Sequence, residues 1–311
     1  MLLSLIMMMT KVDCSLAIDG ILLVNKSQGL SSNAVLQKAK RLFQAKKAGH
    51  TGSLDPLATG MLPVCFGEAT KVCQYLLDAD KSYQATGLLG IKTDTSDSMG
   101  SIINQVDNFS VSEQQLRDVI SEFIGPISQT PSMFSALKHQ GTPLYKLARK
   151  GVTIERKARD IVIESIELLH FDGRQFSINV SCSKGTYIRN LVEDIGDRLA
   201  VYAHVIQLHR NYTAGLSADS MYTLDELEKM TPSERMACLL PLERAISYMP
   251  VINLSEEDSF LLKQGKQLQC DNFSGLSGAV RLHDLNAHYL GLGDISLDGL
   301  LKVKRLMATG T

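Results

Sequence analysis

The sequence predicts an α/β protein in two parts: an α+β domain around a mixed sheet, then a small β-rich domain. Three observations predict it. Apolar runs of strand and helix period alternate from Ile21 to Leu208. Ile161–Leu169 and Phe176–Cys182 are β-rich runs that flank Asp172-Gly173, a hairpin signal. From Val251 onward the pattern shifts to short alternating strands separated by Gly and Asn/Asp turns. At 311 residues the chain can bury a sizeable core. Its hydrophobic fraction of 44% and charged fraction of 21% are those of a globular protein, and no apolar run is long enough to cross a bilayer.

Taken in order, residues 1–18 are expected to be a disordered or mis-annotated tail. Residues 1–9 are apolar but lack a basic n-region and a small-residue cleavage site, so a signal peptide is not expected, and Met7, Met8 and Met9 are alternative starts. Ile21-Leu22-Leu23-Val24 reads as a buried strand turned by Ser27-Gln28-Gly29. A helix is predicted over 32–47, with Val35, Leu36, Ala39, Leu42 and Phe43 on one face, a basic cluster opposite and Gly49 as its stop. Tyr83–Ile91 alternates like a strand and enters the polar turn Thr93–Asp97. A second helix is predicted from Glu113 to Ile124, opened by a capping box of Ser112 and Gln115.

Residues 125–160 have little periodicity. Aromatics interleaved with bases (Phe134, Lys138, Tyr145, Lys146, Arg149) suit looped RNA, so this segment is expected to be an excursion over the surface. After the Asp172-Gly173 hairpin, Ser183-Lys184-Gly185 turns into a helix over 186–199, and Ala203–Leu208 is a further strand. The acidic stretch 217–249 is expected to be helical and peripheral. Gly278–Leu285, Tyr289–Leu297 and Leu301–Leu306 are the clearest strands of a C-terminal barrel spanning 250–311.

The six cysteines are scattered, with no C-x-x-C pair and no His cluster at metal spacing, so free thiols are expected and a metal is not. The net charge of −1 looks unfavourable for a polyanion partner until it is resolved along the chain. Lys26, Lys38, Lys40, Arg41, Lys46 and Lys47 precede His50 with no acid among them, whereas acids dominate between Asp219 and Asp258. A segregated basic face can still collect phosphates. A solvated lysine-rich surface is the plainer alternative.

The most informative stretch is GHTGSLDPLATG, residues 49–60. Gly49, Gly52 and Gly60 permit tight turns, while Pro56 fixes its own φ and pushes Asp55 toward an extended conformation. Two readings follow. Asp55-Pro56 could start a helix as N-cap and first helical residue. Alternatively, Asp55 is a carboxylate held stiffly beside a polyanion site.

The run GHTGSLDPLATGMLP followed by Gly67-Glu68-Ala69-Thr70-Lys71 closely resembles the catalytic loop of the TruB family of tRNA pseudouridine synthases. Further segments resemble that family in the same order: Leu23–Lys26, Asp80–Tyr83, Thr93–Asp97, Pro131–Lys138, Ser183–Arg189 and Ala203–Val205. They span the chain from about Gly20 to Leu208. Two departures stand out: Ser27 where the family usually has Pro, and His209-Arg210-Asn211 in place of Leu-Arg-Arg.

The resemblance implies a pseudouridine synthase catalytic domain over 19–249 and a PUA-like RNA-binding barrel after it. The implied reaction, on uridine 55 in the TΨC arm of tRNA, breaks the N1–C1′ bond, turns the uracil and forms a C5–C1′ bond, without a cofactor. It implies Asp55 as the nucleophile, Arg189 beside it, Tyr83 stacked on the target base where it can handle a proton, and Tyr187 and Leu208 as further pocket residues. His50 would fill the place the extruded nucleotide leaves. On local grounds alone, Arg189 reads as an exposed partner of Glu193, and Tyr83, Tyr187 and Leu208 as ordinary core. Lys26, Lys38, Arg41 and Lys138 are candidate phosphate contacts. The implied partner is tRNA, met by a cytoplasmic monomer with no guide RNA and no membrane. The rivals are a guide-RNA-dependent synthase of the dyskerin type and a non-catalytic RNA-binding module.

Overall fold

A computed structural model describes residues 18–213, 216, 220–269 and 276–307. The expected tail therefore lies almost wholly outside the described residues. The chain runs β1 (Gly20–Lys26), α1 (Ser32–Leu42), β2 (Ala48–His50), β3 (Thr59–Phe66), α2 (Cys73–Asp78), β4 (Lys81–Leu89), β5 (Ile91–Thr93), β6 (Ile102–Gln105) and α3 (Glu113–Glu122). Then come β7 (Gly125–Gln129), β8 (Lys138–His139), β9 (Thr142–Pro143), α4 (Leu144–Ala148), β10 (Arg159–Phe171), β11 (Gln175–Cys182), α5 (Ile188–Arg198) and β12 (Ala203–Thr213). It continues with β13 (Met221–Tyr222), α6 (Leu224–Lys229), α7 (Pro232–Ala237), β14 (Val251–Leu254), α8 (Glu256–Lys263), β15 (Leu268–Gln269), β16 (Gly278–Asp284), β17 (Tyr289–Ile295) and β18 (Leu300–Leu306).

Among the described residues the central sheet has the order β13-β1-β3-β12-β4-β11-β10-β7, with β2 added to β3. It is mixed: β12 runs parallel to β3 and antiparallel to β4. Alternation along β4 puts Tyr83, Ala85 and Leu89 on one face, where the stripes of α1 (Val35, Ala39) and α5 (Leu191, Val192, Ile195) bury them in one core. The Ser112–Gln115 capping box is present, each side chain satisfying the other's backbone N–H at the start of α3.

Helix α1 ends at Leu42, five residues earlier than its apolar period suggests. Phe43 is buried and stacks on Phe66 of β3, with ring centroids 4.9 Å apart, and Gln44 reverses the chain at φ 51°. The reversal lets residues 48–50 pair with β3, so Gly49 lies opposite Cys65 in a strand and is not a helix stop. Lys46 and Lys47 therefore leave the helix face on which they were expected.

The 125–160 excursion is narrower than expected. Its ends, Gly125–Gln129 and Arg159–Ile163, pair with each other in the central sheet. Only the part between them projects, as the β8–β9 hairpin and α4, pinned by the Tyr145 N–H donating to Ser135 O at 3.1 Å. The 217–249 segment is tied in more firmly than a peripheral insertion. Strand β13 pairs with β1, the Ile21 N–H donates to Leu240 O at 2.9 Å, and Leu227 and Ile246 are fully buried.

The C-terminal strands form a curled half-barrel, order β14-β16-β17-β18-β15, around Ile252, Leu262, Val280, Leu282 and Leu301. It is packed onto the first domain. Leu292 and Met307 join a second core with Ile21, Leu23, Met61, Leu76 and Ile246. No helix among the described residues is long and apolar enough to cross a membrane.

Candidate active site

The segment between β2 and β3 contains no helix. At Asp55-Pro56 the chain makes one turn, the Ala58 N–H donating to Asp55 O at 3.1 Å, and β3 starts at Thr59. The helix-capping reading of Asp55 is therefore excluded. Nearby elements hold the segment along its length. Ser32, in the first turn of α1, donates to Leu54 O (3.0 Å) and accepts from the Leu54 N–H (2.7 Å). The Lys26 ammonium donates to Ala58 O at 2.5 Å and Ser27 O at 3.1 Å, and the Gly29 N–H donates to Pro56 O at 2.7 Å.

Those bonds correct the reading of Lys26 as a phosphate contact. It is 1% exposed and its donors are committed to carbonyls, so it braces the loop. Burial lowers its pKa to about 8, with Asp55 pulling it up and Arg210 pushing it down.

Arg189 lies in the first turn of α5 and is 4% exposed, which removes the reading of it as a surface partner of Glu193. Its Nε lies 2.8 Å from Asp55 Oδ2. The same guanidinium donates from Nη1 to Thr95 O (2.7 Å) and Asp97 Oδ2 (3.2 Å), and from Nη2 to Phe134 O (2.8 Å). Glu193 pairs instead with Lys92 at 3.2 Å. Such a fork, bound at every edge, fixes orientation as well as charge. The Asp55 side chain stays 40% exposed. Burial of its surroundings raises its pKa, the Arg189 charge opposes that, and Asp97 adds to it.

Asp55 opens into a cavity of about 280 Å³ lined also by Tyr83, Tyr187, Leu208 and Arg189. Five of the expected site residues, far apart in sequence, meet here. Tyr83 is buried on β4, and burial pushes its phenol above the usual value. Tyr187 caps α5 and is held through its backbone by both ends of the Gln129 amide, at 2.8 and 3.1 Å. Leu208 comes from β12 and is buried.

The other expected contacts lie elsewhere. His50 is on β2 opposite Val64 and does not line the cavity; its buried Nδ1 has no partner among the described residues. Burial and the Arg210 charge lower its pKa, so the ring is neutral at neutral pH. Lys38 and Arg41 lie on α1, half-buried and exposed, and Lys138 is exposed on the β8–β9 hairpin.

Three residues that matter to the geometry had no assigned role in the sequence. Asp97 supplies a buried second carboxylate to Arg189; its signal was the Thr93–Asp97 turn, which cannot reveal a contact with residue 189. Arg210 is 1% exposed, lines the cavity, and donates from Nε to Met61 O at 2.6 Å. Lys81 also lines it, donating to the Ala79 carbonyl and to Leu77 O (3.0 Å) at the end of α2. A larger cleft of about 1080 Å³ lies among the 92–96 turn, residues 122–134 and 148–156, and α5, but it lacks Asp55, and its acids Asp94, Glu122, Glu193, Asp194 and Asp197 outnumber its cations Lys92, Arg156 and Arg198.

With the geometry established, comparison with known proteins is direct. Residues 40–188 match the profile described as TruB family pseudouridylate synthase (N terminal domain). Residues 189–247 match tRNA pseudouridylate synthase B C-terminal domain, and 250–307 match Pseudouridine synthase II TruB, C-terminal. A tRNA pseudouridine synthase B of Legionella pneumophila (strain Corby) is 55% identical over 305 residues, covering 96% of this chain and 99% of its own. That of Coxiella burnetii (strain Dugway 5J108-111) is 47% identical over 296 residues, covering 93% and 95%. Among solved structures the fold is similar to one titled Crystal Structure of a Cbf5-Nop10-Gar1 Complex, with a TM-score of 0.72 and 25% identity over 92% of this chain and 84% of that one.

Proposed function

This chain belongs to the TruB family of pseudouridylate synthases, and from that premise we propose that it isomerises uridine 55 in the TΨC arm of tRNA to pseudouridine. Asp55 is the nucleophile and no cofactor takes part. One observation carries the reading: an Asp55–Arg189 ion pair at 2.8 Å opens into a cavity walled by two tyrosines and a leucine.

The target uridine swings out of its loop, which costs a few kcal/mol of unstacking, about what aromatic and apolar contacts to the base can offset. Tyr83 and Leu208 offer those contacts. Asp55 reacts as the carboxylate, whether it first meets C1′, C6 or the C2′ proton, and Arg189 keeps it ionised in a half-dry site. The N1–C1′ bond breaks, the base turns, and a C5–C1′ bond forms. The proton lost from C5 is matched by one gained at N1, so the reaction balances without redox chemistry. His50, neutral and partly buried, is placed by this reading in the vacancy left in the RNA. The enzyme works as a cytoplasmic monomer and reads the folded arm by shape and phosphates, through cations such as Lys38, Arg41 and Lys138.

Asp55→Asn tests the assignment. Pseudouridine mapping in tRNA should show modification lost, while tRNA binding stays within about twofold because the group discards charge and not contact area. An active Asp55→Asn protein would remove Asp55 from the mechanism. The fold likeness to the Cbf5-containing complex motivates one further arm. Activity on a bare tRNA transcript, with no other protein or RNA, separates a stand-alone enzyme from a guided one.

A further inference from the structure

Three consecutive residues of β12 reach the Asp55 segment. Leu208 walls the cavity. Arg210 donates from Nη2 to Gly52 O at 3.2 Å, where the segment begins. His209 pairs with Thr59 across the parallel ladder, and its Nδ1 lies 2.8 Å from Thr59 Oγ1, where the segment ends. Beyond Thr59 the strands touch backbone to backbone. Gly60 has φ +96°, and a Cβ there would meet Arg210 N at 2.8 Å and the His209 ring at 2.9 Å. Thr59 is thus the last position before that contact at which a side chain can tie the outgoing end of the loop to β12.

The geometry points to His209 as a positioning residue. Through Thr59 it fixes the outgoing end of the Asp55 segment and so holds the carboxylate in register with Arg189 and the cavity. This rests on Asp55 being the reacting group. The bond survives either state of the ring, because a hydroxyl can donate to a neutral imidazole nitrogen or accept from a protonated one. The arrangement is specific to a histidine or a similar short polar side chain; an aliphatic one at 209 leaves the Thr59 hydroxyl only its long contact to Leu208 O at 3.5 Å, a backbone atom that sets no side-chain tie.

The bland alternative is a cross-strand pair that adds stability only. Single-turnover rates and KM on a tRNA transcript, read with Tm, separate the two. His209→Ala and Thr59→Val should each slow the single-turnover step ~5-fold through misplacement of Asp55, with KM within twofold. The double variant should be no slower than the worse single, because both remove one bond. His209→Asn, whose side-chain amide can take the Thr59 hydroxyl, should recover most of the rate. Unchanged rates despite a lowered Tm, losses that multiply in the double variant, or losses confined to KM would each overturn the proposal. Should His209→Ala fail to fold, Thr59→Val and His209→Asn still decide it. Retained turnover in Asp55→Asn would sink the underlying assignment separately, whatever the His209 variants do.

Discussion

Asp55 and Arg189 form one ion pair, and the pH behaviour of the carboxylate follows from the sign of each influence on it. Burial and Asp97 raise the Asp55 pKa above the ordinary aspartate value, and the Arg189 guanidinium at 2.8 Å lowers it. On the proposed mechanism the acid limb of kcat/KM reports ionisation of Asp55 in the free enzyme, and it should therefore lie above the range of an exposed aspartate. Arg189→Leu leaves burial and Asp97 opposed only by the weaker pull of the Lys26 charge. The limb should move to higher pH, and the rate at neutral pH should fall ~10²-fold or more, since an oriented charge in the site is lost. Arg189→Lys should return part of the limb but less of the rate, because an ammonium cannot bind Asp55, Asp97, Thr95 O and Phe134 O at once. A pH–rate profile of the three proteins checks this; coincident acid limbs would contradict it. The same carboxylate also bears on stability. A raised folded pKa means that stability falls as pH climbs from the unfolded value through the folded one. Asp55→Asn should accordingly show a Tm at neutral pH no lower than the parent's.

Elements deliver those side chains only because their ends are where they are. Strand β3 starts at Thr59, α5 starts after Tyr187, and β12 runs parallel to β3 past Gly60. Gly60 is the tightest of these junctions. Gly60→Ala combines a left-handed φ of +96° with a Cβ 2.8 Å from Arg210 N, so β3 and β12 must part. It should cost about 1–3 kcal/mol of stability and slow turnover together, measured by denaturant titration beside kcat. A stable but inactive Gly60→Ala protein would place the damage elsewhere. Legibility differed sharply among elements. The Ser112–Gln115 cap, the hairpin around Asp172-Gly173 and the helix that follows Ser183-Lys184-Gly185 are local signals, and each stands within two residues of where the sequence puts it. The early end of α1 does not follow from its period, because the ring that stops it, Phe66, lies 23 positions away and meets Phe43 only after β3 has folded back.

At the scale of the whole molecule, the half-barrel is not an independent appendage. Leu292 and Met307 from it complete a core with Ile21, Leu23, Met61 and Ile246. Arg281 donates to Met249 O at 3.0 Å, and Lys71 donates to Leu306 O at 3.1 Å. Shared apolar burial of this kind couples unfolding. The chain should melt in one transition, and Leu292→Ala, at a site 1% exposed, should lower stability of the whole by about 2–5 kcal/mol. Two resolved calorimetric transitions in the parent protein would show the parts to be uncoupled.

The sequence by itself determined the alternation of elements, the turn chemistry and the family, because periodicity, caps and a fifteen-residue loop motif are properties of neighbouring residues. It also named Asp55, Tyr83, Tyr187, Arg189 and Leu208, although only by likeness and with a packing role open for most of them. Only the tertiary structure decided which charges are available. Lys26 belongs to a basic run yet turns inward to three carbonyl oxygens, Arg210 likewise donates to carbonyls, and the Asp97 carboxylate accepts from Arg189. A charge is free or committed according to what packs around it, and the partners that commit these three lie up to 158 positions away in sequence.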